Sequence, residues 1–155
     1  MATNALFPTS ARFPTSAPFP TSAPFPTRAL LARSALLDGG RREECVFCRV
    51  VAGELPSREA HSGELTYAFH DLRPAAPVHV LVVPREHIAD ATQVSPEHGP
   101  LLAEMLLAAR TVAQREGILG TGYRLAFNIG PDSGAEVPHL HLHLLGGRRL
   151  DWPPG

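Results

Sequence analysis

A chain of 155 residues is the length of one domain of ordinary size. Its 14 cationic residues, all arginine, face 15 acidic ones for a formal charge of −1, so nothing in the charge argues for nucleic acid or an anionic membrane as partner. The lack of lysine excludes a lysine nucleophile and a P-loop lysine, and no apolar run approaches the ~18–20 residues that span a bilayer.

Residues 1–41 stand apart from the rest. Phe-Pro-Thr begins at Phe7, Phe13, Phe19 and Phe25, a six-residue repeat rich in Pro, Ala, Ser and Thr. Proline removes backbone donors and fixes φ, so neither a helix nor a central strand propagates through such a run. The segment reads as a disordered or polyproline-like tail, with a short amphipathic helix possible over Ala29–Leu37. Arg12, Arg28 and Arg33 sit among serines and threonines, and no acidic residue precedes Asp38, which resembles an organelle transit peptide. The expectation is a dispensable tail on a cytoplasmic protein; the alternative is a mitochondrial or plastid address.

The folded domain is expected over 42–155. Cys45–Ala52 reads as a short helix ended by Gly53 and Pro56. Tyr67–His70 and Val78–Val83 read as strands, with Pro74 and Pro77 turning the chain between them. Ser95-Pro96-Glu97 starts a long helix, with serine as N-cap and proline in the first turn. It carries Leu101, Leu102, Met105, Leu106, Ala109 and Val112 as a core-facing stripe and ends at Gly117. Tyr123–Ile129 and His139–Leu145 are the remaining strands, and Gly130–Gly134 between them is a loop suited to presenting backbone amides to an anion. Strands in hairpins with one long and one short helix make an α+β fold on an antiparallel sheet.

The strongest pattern is Pro138-His139-Leu140-His141-Leu142-His143-Leu144-Leu145. A strand alternates its side chains, so His139, His141 and His143 share one face while the leucines pack into a core on the other. Rings roughly 6.5–7 Å apart on that face would surround one phosphate or share one metal. Imidazole is neutral and nucleophilic near pH 7, and its adduct with phosphorus is labile to water. The central histidine is best placed to attack, a flanking one to donate to the phosphate, and Asn128 and the Gly134 loop to add donors. A metal-hydrolase centre recruiting His79 and Asp71 is the competing reading. The residues favour phosphate chemistry.

The histidine run resembles the signature of the histidine triad superfamily. The likeness extends from Cys45 to Gly155 through Phe69-His70-Asp71-Leu72, Ala76-Pro77-Val78-His79 and Val83-Pro84-Arg85-Glu86-His87-Ile88. Leu145-Gly146-Gly147-Arg148 with Trp152-Pro153-Pro154-Gly155 resembles in particular the purine nucleoside phosphoramidase branch, also called histidine triad nucleotide-binding proteins. The resemblance implies a homodimer joining two five-stranded sheets, with a purine nucleotide as substrate. It implies hydrolysis of purine nucleoside 5′-phosphoramidates through a nucleotidyl-histidine intermediate on His141. His143 would contact the phosphate and leaving group, the His139 carbonyl would orient His141, and His79 would support them. Purine and ribose would lie among Val46, Phe47, Val50, Phe69, His70 and Leu72, with Trp152 also at the substrate. Asp71 would accept from the ribose hydroxyls, and Asn128, Gly134 and Val137 would line the phosphate end. Two alternatives are a nucleotide-binding or interaction protein with incidental hydrolysis, and a dinucleoside polyphosphate hydrolase.

Two positions depart from the family pattern. Ala135 replaces the usual glutamine, which puts dinucleoside polyphosphate hydrolysis in doubt, and Glu136 stands where many phosphoramidases carry serine or threonine. A carboxylate there would attract an amine leaving group. Catalysis calls for no cofactor. Cys45-x-x-Cys48, with His87 and His139, matches the set with which some members of the superfamily hold a structural zinc. Without metal the cysteines would be a redox pair or two buried thiols.

Overall fold

The computed structural model describes residues 44–152. The tail, its repeat and the last three residues lie outside the described residues. Five antiparallel strands form one sheet: β1 (Glu59–Ser62), β2 (Thr66–His70), β3 (Val78–Pro84), β4 (Tyr123–Phe127) and β5 (Leu142–Gly146), in spatial order β1-β2-β3-β5-β4. The short helix α1 (Val46–Val51) and the long helix α2 (Gly99–Arg115) complete the α+β architecture.

Alternation along the strands divides the core into two. Val78, Val80 and Val82 of β3 and Leu142 and Leu144 of β5 join Leu101, Met105, Ala109 and Val112 of α2 on one face. On the other, Phe69 of β2 and Leu81 and Val83 of β3 meet Cys45, Phe47 and Val50 around α1. Strand β3 is therefore buried along its whole length, which suits its unbroken run of β-branched and leucine residues.

Four details differ from the sequence reading. Strand β1 was not legible: Glu59-Ala60-His61-Ser62 has no aromatic or β-branched residue, and it lies at the sheet edge with a register shift between Glu59 and His61. The α-helix begins at Gly99 rather than at Ser95. Pro100 has no N–H for the Pro96 carbonyl, so Pro96–His98 forms a 3₁₀ turn closed by Gly99 N–H on Pro96 O, and Ser95 N–H is taken by His98 Nδ1 at 3.0 Å. The far end behaves as read, with Gly117 at φ +72° closing α2. Leu106 is 51% exposed and so leaves the stripe, while Ala108 and Ala113 join it.

The fourth difference concerns the histidines. The ladder of β5 starts only at Leu142, opposite Val82, so His139–His141 lie outside it, with His139 on a bend whose N–H reaches Val137 O at 2.8 Å. Pro84 explains the delay, because proline cannot donate the next rung. Leu140 N–H bonds Ile88 O at 2.6 Å instead. On the other flank β4 stops at Phe127, paired with Leu142, so Asn128 and Ile129 fall beyond the strand.

Candidate functional site

Leu140, Leu142 and Leu144 are buried in the α2-side core, which turns the three histidines to the α1 face, as alternation demands. The rings do not gather around one point. His139 points between the cysteines, while His141 and His143 line a cavity of about 500 Å³. Phe47 packs edge-on against both His139 and His141, with centroids at 5.9 and 5.4 Å.

Hydrogen-bond direction assigns each imidazole a form. His141 Nδ1 lies 2.6 Å from the His139 carbonyl, which can only accept, so Nδ1 carries the proton and Nε2 keeps its lone pair. Ala75 N–H donates to His79 Nδ1 at 3.1 Å. His79 must therefore carry its proton on Nε2 and donate it to His143 Nδ1, 2.9 Å away. His143 is left with its proton on Nε2, and among the described residues this is the buried side-chain nitrogen without a partner. A buried donor without an acceptor is costly, and the cavity it lines is where an acceptor would arrive.

Titration fits the same assignment. Burial above all, then the His141 and His79 rings, pushes His143 down to about 4 against the opposing pull of Asp71. Burial also lowers His79, again opposed by Asp71, whose Oδ2 is 3.5 Å from His79 Nε2. Asp71, His79 and His143 are close enough to hold a cation. A metal would need the lone pair of His79 Nε2, however, and the Ala75 bond keeps a proton there. The polarity of the chain favours a fixed donor over a metal ligand.

The cavity gathers most of the expected residues. Val46, Phe47, Val50, Phe69 and Leu72 give it apolar walls. Asp71, Asn128, Gly134 and Val137 lie with His141 and His143. Pro56, Ser57, Leu81, Arg73 and Glu136 also line it. Of these, Leu81 was legible only as core, and Arg73 gave no signal because its partner is distant in sequence.

Several expectations change. His70 reaches the wall, but its ring is engaged elsewhere: Arg58 Nη2 lies 3.0 Å from both ring nitrogens and Glu116 Oε1 3.4 Å from Nε2. Burial first, then Arg58, lowers its pKa against Glu116. Trp152 is 83% exposed and does not line the cavity; beside it, Arg124 of β4 donates to Asp151 O at 2.6 Å. The 130–134 loop is less of an anion cradle than its glycines suggest. Ser133 N–H and Gly134 N–H already bond the loop's own carbonyls, with Gly134 left-handed at φ +76°.

Behind the histidines lies a second cluster. Cys45, Cys48, His87 and His139 have potential ligand atoms all within 4.8 Å of one another, and neither cysteine forms a disulfide. His139 Nδ1 is 3.4 Å from Cys45 Sγ and 3.5 Å from Cys48 Sγ, and His87 Nδ1 is 3.3 Å from Cys48 Sγ. A tetrahedral zinc with ordinary Zn–S and Zn–N bonds has S···N edges of about 3.5 Å. His139 Nε2–H donates to Pro84 O at 3.0 Å, which leaves the Nδ1 lone pair for a metal. Burial pushes His139 down to about 4, in the neutral form that ligates. The residues fit zinc.

Comparison with known proteins places these features in a family. A family model described as scavenger mRNA decapping enzyme C-terminal binding matches residues 44–149. The chain is 44% identical over 113 residues to an HIT-like protein of Synechococcus elongatus, covering 73% of this chain and 98% of the relative. It is 42% identical over 108 residues to the purine nucleoside phosphoramidase of Escherichia coli, covering 70% of this chain and 91% of that enzyme. Among solved structures, a HIT family hydrolase from Legionella pneumophila superposes with a TM-score of 0.70 at 46% identity, over 72% of this chain and 99% of that one.

Proposed function

Since the chain belongs to the histidine triad superfamily and is a hydrolase of that family, we propose that it cleaves purine nucleoside 5′-phosphoramidates through a nucleotidyl intermediate on His141. The observation that carries this reading is the polarity of the imidazole chain. His141 offers a lone pair at Nε2 while its Nδ1–H is held by the His139 carbonyl. Beside it, with ring centroids 4.9 Å apart, His143 offers an Nε2–H that has no other acceptor.

The chemistry follows from those two atoms. His141 Nε2 attacks phosphorus, and the bond from phosphorus to the leaving amine breaks as that nitrogen takes up a proton from solvent water. The charge left on the imidazole ring is stabilised by the carbonyl on Nδ1. His143 donates to the phosphoryl oxygens, or to the departing group, throughout. Water then attacks phosphorus from the vacated side and gives up a proton to solvent as the bond from phosphorus to His141 Nε2 breaks, which releases the nucleoside monophosphate and restores His141. Phe47, Val50 and Phe69 suit the faces of a purine, and the Asp71 carboxylate suits two ribose hydroxyls. Turnover of adenosine 5′-phosphoramidate by the wild type, with His141→Ala as control, tests the reading. Tight nucleotide binding without turnover would make the protein a binding module instead.

Zinc on Cys45, Cys48, His87 and His139 belongs to this reading as a structural clamp between the start of α1 and the histidine segment. Its chemistry is to hold two thiolates and two imidazoles in place, and no step passes through it. A homodimer also belongs here. Strand β4 is a sheet edge with Phe127 partly exposed at its end, and a second copy added along it would join the two sheets. Sedimentation would read the mass directly.

A further inference from the structure

The phosphoramidase reading leaves open which leaving group departs, and two charged side chains at the cavity mouth speak to that. Arg73, on the loop between β2 and β3, and Glu136, just before the histidine segment, both line the cavity with His141 and His143. Arg73 Nη2 lies 2.6 Å from Glu136 Oε2, so the pair bridges two rims that are 63 residues apart in sequence. The base of Arg73 is fixed, because its backbone N–H donates to Asp71 Oδ1 at 2.7 Å. The tips are not: the two side chains are 81% and 70% exposed, and an ion pair so exposed exchanges partners readily.

A charge count gives the pair a direction. Asp71 and Glu136 are the acidic groups of the lining and Arg73 its one permanent cation, while His70 and His143 are held towards the neutral form by burial. A phosphoramidate carries a negative phosphoryl group into this lining, which already has one carboxylate in excess. A leaving group that is itself cationic relieves the imbalance; an anionic one aggravates it.

We propose that Glu136 and Arg73 form a charge clasp that selects phosphoramidates whose leaving amine carries a second, free ammonium group. This rests on the hydrolase reading above. The ammonium takes Glu136, and the guanidinium it displaces turns to the phosphoryl oxygens, where its paired N–H groups fit two oxygens at once. Both residues are specificity determinants; the nucleophile and its orientation do not depend on them.

The test uses the full chain and three adenosine 5′-phosphoramidates of matched length, made from 1,5-diaminopentane, pentylamine and 5-aminopentanoate. In the wild type, kcat/KM for the diaminopentane conjugate should exceed that for the pentylamine conjugate by about three- to tenfold, with the pentanoate conjugate last. Glu136→Gln should bring the first ratio close to one, and Glu136→Arg should move the pentanoate conjugate to the front. Because each ratio is taken within one protein, loss of folded material does not alter it. High salt should shrink the wild-type ratio, since the contacts are exposed. Equal kcat/KM for the three conjugates, or a ratio that survives Glu136→Gln, overturns the clasp. If the wild type turns over none of them, the hydrolase reading fails separately. The clasp is then judged by competition of the same conjugates against a fluorescent purine nucleotide: tighter binding of the diaminopentane conjugate supports it, and equal binding overturns it.

Discussion

One face of the sheet is closed by a helix of 17 residues, the other by a helix of 6. Beneath the long helix lie Val80 and Leu144, packed on its Met105 with none of the three exposed, and the layer is largely apolar, with buried Thr66 donating to Glu104 of the helix at 2.9 Å. The short helix covers only part of its face, where Leu81, His143 and, just before β5, His141 line an open cavity, with His79 behind His143. The same alternation serves both faces. The difference teaches that the two layers are divided by strand parity: even-numbered positions of β3 and β5 hold the sheet on α2, and odd-numbered ones face α1 and the cavity.

That division can be broken from either side. The largest expected effect is on the open face, where His141→Ala should lower single-turnover hydrolysis by about 10⁴-fold or more. Its unfolding midpoint in urea should stay near that of the wild type. Substantial residual turnover would sink the covalent mechanism. On the closed face, Leu144→Ala should cost about 2–5 kcal/mol in urea denaturation, because the side chain is fully buried and its removal leaves a cavity that its neighbours fill only in part. Its kcat per folded molecule should hold, and a parallel fall in kcat would show that the faces are not separable.

Two smaller effects sharpen the comparison. Cys48→Ser should reduce zinc, read by elemental analysis, and lower the melting temperature while leaving catalysis per folded molecule little changed. Metal-free wild type with an unaltered melting temperature would reduce the cluster to ordinary thiols. The smallest effect is on pH dependence. The His143 imidazole titrates near 6.5 when unfolded and at about 4 when folded. Above 6.5 both states are neutral and stability is complete; between 6.5 and about 4 the unfolded chain takes up a proton that the folded chain does not, so stability declines. His79, facing His143 and Asp71, is shifted in the same direction. Thermal melts across that window should show a shallower slope in His143→Asn than in the wild type, and identical slopes would remove His143 as the source.

Short-range pattern made much of this legible. Alternation over His139–Leu145 foretold which side chains would face the core, because a strand's period is local, and Gly117 marked the end of the long helix for an equally local reason, whereas its start moved from Ser95 to Gly99. Strand β1 escaped because edge strands are held by a neighbour and not by their own composition.

By itself, then, the sequence determined the two faces, the chemistry available on one of them and the family that uses it. Tertiary structure decided which proton each histidine keeps. His141 holds its proton on Nδ1 against the carbonyl of His139, and His143 holds one on Nε2 through a chain that begins at the backbone of Ala75. His139 is drawn to Cys45, 94 residues away, and Arg73 to Glu136 across 63. Periodicity fixes the direction in which a side chain leaves the backbone; which proton it keeps, and which partner it meets, depends on atoms that only the fold brings within hydrogen-bonding distance.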